Sequence, residues 1–197
     1  MPHDRLALQI EFLVEADKLK NILRRTPLVD GSRRENSAEH SWHLVLFAMV
    51  MREHLDGACD LLHTLEMLAV HDLVEVDAGD TFAYDTSGHE TKEAREREAA
   101  DRIFGMLPSD QGSRLRTLWE EFEAQQTLEA RFANALDRLQ PLLQNARAGG
   151  GSWRDHDLTR AQVMKRMSPI EHTLPDVWPM VVTVVDSFAK SGLLQNP

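Results

Sequence analysis

The sequence is poor in cysteine and in basic residues, and it contains no long apolar run. Cys59 is the one cysteine among 197 residues, which excludes an internal disulfide and a paired-cysteine zinc site and is typical of a reducing compartment. No apolar segment approaches the roughly 18–20 residues that cross a bilayer. The first residues include acids where a secretory signal needs basic and then apolar residues. We therefore expect a cytoplasmic protein that does not span a membrane.

Basic residues are outnumbered by acidic ones, 22 to 32, which gives a formal net charge of −10. A long nucleic acid or an anionic membrane surface requires a basic protein surface, so this balance argues against both as partners. A local basic pocket for a single phosphate is compatible with it. The length and the 42% hydrophobic content predict one globular domain.

Strand-like alternation and internal repeats are absent as well, whereas apolar residues recur at helical spacing nearly throughout the chain. We predict an all-α fold with about seven to nine helices around one core. The single domain would span residues 1–197, with a core at about 5–148 and a C-terminal helical extension at about 153–197. Between these two parts, the glycine-rich residues 149–152 are predicted to form a flexible linker.

Three of the predicted helices determine where the candidate functional residues lie. The opening helix is predicted to run towards Leu23 and to be followed by a loop. The second helix, at about 37–55, starts beside the capping residues Asn36 or Ser37. It contains eight successive apolar residues, so we expect it to be central to the core. The third helix covers about residues 61–76.

The third helix carries acids where its apolar stripe predicts leucines. Counted from Leu61 in steps of three and four, the stripe reaches Asp72 and Glu75. An unpaired buried charge costs several kcal/mol, and His71 lies close enough for the three side chains to face one cavity. A divalent cation would compensate the acids and use the imidazole as a ligand. The alternative is a solvated helix end with a hydrogen-bonded histidine, which is the better explanation for the His-Asp pair taken alone.

Two further residues extend the candidate metal site. His40 opens a helix with an apolar body, so its side chain begins at the rim of the core, and metal sites in helical bundles commonly take a histidine from each of two helices. Asp137 is the candidate for a further ligand, because it lies at the edge of an apolar stripe with the small residues Ala133 and Ala135 nearby. A salt bridge to Arg138 or to a neighbouring helix is the alternative, and for Asp137 alone it is the better one.

The order His40, His71-Asp72, Asp137 resembles the H…HD…D signature of the HD-domain metal-dependent phosphohydrolases. Residues 24–28 and 34–40, together with the segment from His71-Asp72 to Gly79-Asp80, resemble the 5′-deoxynucleotidase branch of that superfamily. The resemblance covers about residues 5–145 and implies a single helical HD domain.

The resemblance also implies a role for each matching residue. One divalent metal ion would be held by His40, His71, Asp72 and Asp137, and this mixed ligation suits manganese, cobalt, iron or magnesium. Glu75 would orient or deprotonate the attacking water, and Asp80 would contact the substrate and protonate the leaving 5′-oxygen. Arg25 would orient the substrate phosphate through parallel hydrogen bonds. The other implied substrate-binding residues are Thr26, Asp72, Asp80, Thr81, Phe82, Ala83 and Asp137.

Two departures from the branch leave the sugar and base preference open. Thr26 stands where some members have an aromatic residue, and Thr81-Phe82-Ala83-Tyr84 replaces a loop that contains proline. His43 is either a hydrogen-bonded core histidine or a partner of a metal ligand. Met164, Met167, Trp178 and Met180 are either core residues or part of a dimer surface.

We therefore predict a metal-dependent 5′-nucleotidase that converts deoxyribonucleoside 5′-monophosphates to deoxynucleoside and phosphate, with a small nucleotide as substrate and a homodimer as assembly. The alternatives are another small nucleotide phosphohydrolase or phosphodiesterase of the superfamily, and a non-catalytic metal-stabilised nucleotide-binding module. Arg25, Glu75 and Asp80 argue against the non-catalytic module, because a purely structural metal site needs none of them.

Overall fold

The computed structural model describes residues 2–195, apart from the side chains at positions 2, 3, 86 and 87. Positions 1, 196 and 197 of the predicted domain lie outside the described residues. The helices are α1 (Pro2–Ala16), α2 (Ser37–Met51), α3 (Leu61–Val70), α4 (Glu75–Ala78), α5 (Thr86–Gly105), α6 (Ser109–Ala124), α7 (Leu128–Arg147), α8 (Gly151–Asp155), α9 (Arg160–Thr173) and α10 (Trp178–Lys190). Two strands, β1 (Leu23–Pro27) and β2 (Arg34–Asn36), and short 3₁₀ turns at Asp17–Asn21 and Arg52–His54 complete the described chain. The all-α prediction is confirmed, with one small sheet added.

The centre of the bundle consists of α2, α3 and α7. Helix α7 packs against both of the others and also against α6 and α9. Leu44, Leu68 and Leu136, one from each central helix, are fully buried, and each such side chain contributes about 1.5–3 kcal/mol of hydrophobic stabilisation. The candidate metal ligands lie on or directly beside these three helices, so the core fixes their backbones. Within residues 2–195, no helix has the length and hydropathy needed to cross a bilayer.

Helix α2 is apolar nearly all round, yet its neighbours cover one side of it. Leu44 and Ala48 are buried against α3 and α7. The opposite face carries Trp42, Leu46, Met49 and Val50, which are 43% to 65% exposed. The prediction that the whole apolar run lies in the core is therefore wrong, because the bundle has no further element over this face among the described residues.

The start of α2 is fixed by a capping box. The Asn36 side chain accepts a hydrogen bond from the Glu39 amide at 2.9 Å, and the Glu39 side chain accepts one from the Asn36 amide at 2.7 Å. Of the two predicted capping residues, Asn36 is the one used. These reciprocal bonds satisfy backbone donors that the first helical turn leaves free. They set the phase of the helix so that His40, the next residue, is directed into the protein and fully buried.

An antiparallel hairpin occupies residues 23–36, where the sequence predicted a helix end and a loop. Leu23 pairs with Asn36 and Pro27 with Arg34, with an irregular register between these pairs. The predicted continuation of the opening helix towards Leu23 is therefore wrong.

Polar residues alternate across this hairpin. Thr26 and Glu35 are buried and Arg24 is largely buried, whereas Arg25 and Arg34 are exposed. The inward side faces a polar cavity and not an apolar core. For that reason the sequence lacks the alternation of apolar residues by which a strand is usually recognised.

The third predicted helix is interrupted. Helix α3 ends at Val70, residues 71–74 form a turn, and α4 begins at Glu75. His71 keeps a helical backbone, and its amide donates to the Met67 carbonyl at 3.0 Å. Gly79 then ends α4 with a φ of +72°, a conformation that glycine adopts without strain.

Residues 149–152, which comprise the end of a tight turn and the first residues of α8, are packed and do not form the predicted flexible linker. Gly151 and Ser152 are buried, and the Ser152 amide donates to Asn145 Oδ1 at 2.8 Å. A Cβ atom at Gly151 would overlap Asn145 Oδ1 and approach Pro27 Cγ to 2.8 Å. The turn leads into α8 and then α9, and α9 packs along α7.

Candidate metal centre

One cavity collects nearly all of the candidate functional residues. Its polar wall contains Arg24, His71, Asp72, Glu75, Asp80 and Asp137. The other implied substrate-binding residues, which are Arg25, Thr26, Thr81, Phe82 and Ala83, also line it. His40 lies directly behind this wall, fully buried.

The four side chains that the resemblance assigns to a metal converge in the structure. His40, His71 and Asp72 each offer one ligand atom, and these three atoms all lie within 4.8 Å of one another. Asp137 Oδ1 lies 3.1 Å from His40 Nε2. Helix α2 and the turn after α3 therefore bring two imidazoles and one carboxylate together, and α7 adds a second carboxylate beside His40; divalent transition metals accept such donors.

His71 presents a free nitrogen to this point. Its Nδ1 atom donates to the Leu68 carbonyl at 2.9 Å, so in the neutral ring the lone pair is on Nε2. Nε2 is buried and, although it lies 3.1 Å from Asp72 Oδ1, it has no hydrogen-bond partner among the described residues. An orphaned buried nitrogen is costly unless a ligand binds it, so this geometry fits a histidine that holds a cation.

Arg24 occupies the space between the acids. Its Nη1 atom lies 2.8 Å from Asp72 Oδ2 and 3.8 Å from Asp80 Oδ1, and its Nη2 atom lies 3.7 Å from Asp137 Oδ1. The sequence did not predict a role for Arg24. In a strand, Arg24 and Arg25 point to opposite sides, but no strand was predicted here. Arg25 is exposed and lines the same cavity from the outer side of β1.

The pKa values of the site reflect close pairs of opposite charges. Burial alone would lower the pKa of His71, but the attraction of Asp72 outweighs it and raises that pKa to about 9. Burial alone would raise the pKa of Asp72, but His71 and Arg24 lower it to about 2. Asp72 is therefore ionised at neutral pH, as a carboxylate ligand of a cation must be.

Glu75 and Asp80 differ from Asp72, because their pKa values are raised and not lowered. Burial, and secondly the charge of Asp72, raise the pKa of Glu75 well above its ordinary value. Burial also raises the pKa of Asp80, against the opposing effect of Arg24. Ser37, predicted only as a possible helix cap, donates its hydroxyl to Glu75 Oε2 at 2.6 Å and fixes that carboxyl group.

The opposite wall of the cavity comes from α5, α8 and α9. Lys92, Trp153, Arg166 and Met167 line it. Arg166 Nη2 lies 3.3 Å from Asp137 Oδ2, so the guanidinium reaches the candidate metal centre. Met167, predicted as either core or dimer surface, is buried. Trp153, Arg166 and Met167 were missed as site residues because the resemblance ends near residue 145.

Comparison with protein families identifies the class to which the chain belongs. A model of the HD domain matches residues 16–178. Since this is most of the chain, the protein belongs to the HD domain family, and the resemblance read from the sequence is confirmed. Members of this family that act as phosphohydrolases use a divalent metal, and the buried His-Asp cluster could bind one.

Two relatives with a named activity are similar to part of this chain. The human 5′-deoxynucleotidase HDDC2 is 32% identical over 136 residues, which are 68% of this chain and 65% of the human protein. The mouse 5′-deoxynucleotidase HDDC2 is 34% identical over 110 residues, 56% of this chain and 54% of the mouse protein. The match therefore spans less than two thirds of the length of these relatives.

Solved structures cover more of the chain. The crystal structure of a predicted metal-dependent phosphohydrolase from Magnetospirillum magnetotacticum MS-1 has a TM-score of 0.94 and 48% identity, and the match covers 100% of this chain and 98% of that one. A conserved hypothetical protein from Pyrococcus furiosus has a TM-score of 0.59 at 23% identity over 81% of this chain and 94% of that one, and it shares the fold alone.

Proposed function

We propose that this protein is a metal-dependent phosphohydrolase that releases phosphate from deoxyribonucleoside 5′-monophosphates. The observation that carries the proposal is the convergence of the candidate metal ligands with Glu75, Asp80 and Arg24 on one cavity. The 5′-deoxynucleotidases among the relatives support the substrate class. A metal site that served only to stabilise the fold would need neither Glu75 nor Asp80.

The divalent ion would be held by His40, His71, Asp72 and Asp137. Bound there, it supplies a Lewis acid that acidifies water and polarises the phosphoryl group. The unpartnered Nε2 of His71 and the mixed nitrogen and oxygen donors support such an ion. The same donor set supports manganese, cobalt, iron or magnesium as its identity.

Glu75 and Asp80 would carry the two proton transfers. Ser37 holds Oε2 of Glu75, which leaves Oε1 to accept a proton from the attacking water. As the water oxygen bonds to phosphorus, the bond from phosphorus to the 5′-oxygen breaks, and protonated Asp80 donates its proton to that oxygen. The products are the deoxynucleoside and inorganic phosphate.

The substrate would lie along the cavity wall. Arg25 would orient the phosphate at the rim of the cavity. Asp72 and Asp137 would also face the phosphate there. Arg24 and Arg166 would add positive charge nearby. Thr26, Thr81, Phe82 and Ala83 would line the sugar and base. Positions 81–83 belong to the irregular segment between α4 and α5.

We propose a cytoplasmic homodimer of a single-domain protein. The exposed apolar face of α2 supports self-association, because monomers seldom leave such a face uncovered. The single cysteine supports a reducing compartment. The proposed domain covers residues 1–197, with a core at about 5–148, and its C-terminal part at about 153–197 contributes Arg166 to the cavity.

Phosphate release by metal-stripped protein tests the proposed activity. We expect release from deoxyribonucleoside 5′-monophosphates when manganese, cobalt or magnesium is added, and slower release from ribonucleotides, 3′-monophosphates and cyclic nucleotides. Glu75→Gln should keep its cation affinity but lose turnover by about 10²-fold or more, because it removes the proton acceptor. Asp72→Asn should lose both cation binding and turnover.

The matched control is Glu98→Gln, the same chemical change at an exposed position of α5, which should behave as wild type. Cation-independent release, or no release from any of these esters, would contradict the proposed activity. Equal rates on ribo- and deoxyribonucleotides would contradict the sugar preference alone.

A further inference from the structure

A cluster of buried polar side chains lies behind His40, on the side away from the cavity. Glu35, Gln140 and Gln144 are each at most 2% exposed, and His43 is half-buried beside them. None of the four lines the cavity. They therefore cannot touch a substrate there, and a buried carboxylate at this position needs another explanation.

The hydrogen bonds in this cluster have a fixed direction. Glu35 Oε1 accepts from Gln140 Nε2 at 2.6 Å and from Gln144 Nε2 at 2.7 Å. A carboxylate accepts hydrogen bonds and does not donate them, so the amide nitrogen of Gln140 must face Glu35. The same nitrogen lies 3.2 Å from His43 Nδ1 and donates to it, which uses the second amide hydrogen. Two acceptors therefore hold the Gln140 amide in one orientation.

That orientation determines which nitrogen of His40 carries a hydrogen. With its nitrogen turned towards Glu35, Gln140 presents Oε1 to His40 Nδ1 at 3.1 Å. An amide oxygen accepts only, so Nδ1 is the donor. Nε2, which faces Asp137 Oδ1 at 3.1 Å, is then the nitrogen that can give its lone pair to a cation. A reversed amide would instead place a second donor against Nδ1 and so oppose this tautomer.

We infer that Glu35 is a positioning residue: through Gln140 and through its own Oε2 atom, 3.2 Å from His40 Nδ1, it fixes the tautomer of His40 and thereby sets the cation affinity of the site. The inference rests on the proposed metal site. It also gives His43 a role, as the second acceptor that holds the Gln140 amide. Outer partners of this kind typically change metal affinity by about 10–100-fold when they are removed.

Two isosteric changes on α7 separate positioning from packing. Gln140→Met and Gln144→Met each delete one amide that donates to Glu35 Oε1, but Gln140 alone also contacts His40. We expect Gln140→Met to weaken Mn²⁺ binding by about 10–100-fold and Gln144→Met to leave it near the wild-type value. Calorimetric titration of metal-stripped protein with Mn²⁺ measures both, and circular dichroism checks folding.

A second pair of variants tests the direction of the hydrogen bonds. Glu35→Gln puts a possible donor opposite Gln140 and frees its amide to reverse, so Mn²⁺ affinity should fall. The double variant Glu35→Gln/Gln140→Glu exchanges the two groups, and its carboxylate at position 140 again accepts from His40 Nδ1. Its Mn²⁺ affinity should return towards wild type. If Glu35→Gln does not fold, the Mn²⁺ affinities of Gln140→Met and Gln144→Met decide whether the positioning role holds.

The outcomes distinguish this inference from the proposed function. Wild-type protein that binds no Mn²⁺ overturns the proposed metal site itself. Wild-type protein that binds Mn²⁺ while Gln140→Met and Gln144→Met bind equally well, or equally poorly, overturns the positioning role. A folded double variant with the weak affinity of Glu35→Gln overturns the role of hydrogen-bond direction.

Discussion

At the scale of single residues, Arg24 balances the charge of the candidate metal centre. Its guanidinium lies within 4.0 Å of Asp72, Glu75, Asp80 and Asp137. A divalent cation held by Asp72 and Asp137 would compensate the negative charge of the same acids. Arg24 and the cation are therefore alternative sources of positive charge for one cluster of carboxylates, and the protein without metal depends on the arginine.

Arg24→Met should accordingly destabilise the metal-free protein and enlarge the stabilisation that metal provides. Removing one partner from a buried ion pair costs about 3–5 kcal/mol, and about 1 kcal/mol shifts the Tm of a chain this long by roughly 2–4 °C. Thermal unfolding with EDTA and with Mn²⁺ measures both effects. Arg25→Met, on the exposed side of the same strand, is the control. If the two variants share the same Tm in EDTA, Arg24 does not balance these charges.

Single residues were predicted unequally well from the sequence. Asp72 and Glu75 could be predicted as site residues because each replaces an expected leucine on a helical stripe. Glu35 and Gln140 were not, since a buried polar pair that is separated by 105 positions leaves no local pattern. Their partnership depends on how the hairpin docks on α7, which is a property of the tertiary structure.

At the scale of elements, the turn over residues 148–150 joins α7 to α8, which begins at Gly151. Gly151 has a φ of +41° and packs against Asn145 and Pro27, whereas Gly149 has a φ of +65° and open space around it. Trp153, two residues after Gly151, is buried in the cavity wall. The turn therefore connects the stability of the fold with the shape of the cavity.

Alanine at these two glycines should have different effects. Gly149→Ala introduces left-handed strain alone, about 1–2 kcal/mol. Gly151→Ala adds a steric overlap that costs a further 1–3 kcal/mol or so, and it should also raise KM through displacement of Trp153. Urea unfolding and steady-state kinetics measure these changes. Equal destabilisation by the two substitutions would show that the packing at Gly151 is not restrictive.

The helices, the hairpin and the glycine run also show which elements the sequence pattern could predict and which it could not. Helices with apolar stripes were predicted, because burial of one face imposes a period that is visible in the chain. The hairpin was missed because its inward residues, Arg24 and Thr26, face a polar site. The glycine run was interpreted as flexible, since composition alone does not distinguish a free linker from a turn whose glycines are required by close packing.

At the scale of the whole molecule, an acidic protein exposes an apolar face on α2. The face consists of Trp42, Leu46, Met49 and Val50, which share one side of the helix. The net charge of −10 makes association through other surfaces electrostatically unfavourable. We propose that self-association uses this face, although α1 also exposes apolar residues such as Leu13 and Val14.

Sedimentation analysis should detect a homodimer that Met49→Glu converts to a monomer. A charge buried in an apolar interface is costly, whereas the same side chain in the monomer remains in solvent, so circular dichroism and Tm should change little. Leu62→Glu, at an exposed apolar residue of α3, is the control and should stay dimeric. A wild-type protein that sediments as a monomer at micromolar concentration contradicts the proposed dimer.

The cavity wall draws on residues from Arg24 to Met167, and this span has a consequence during synthesis. A ribosome releases the chain in order at about 5–20 residues per second, so Asp72 emerges many seconds before Arg166. Until α9 docks on α7, Asp137 lacks its contact with Arg166 and the cavity lacks one side. A nascent chain that lacks α9 therefore has all four proposed metal ligands but an incomplete substrate cavity, and we expect a cation to stabilise it before a substrate can.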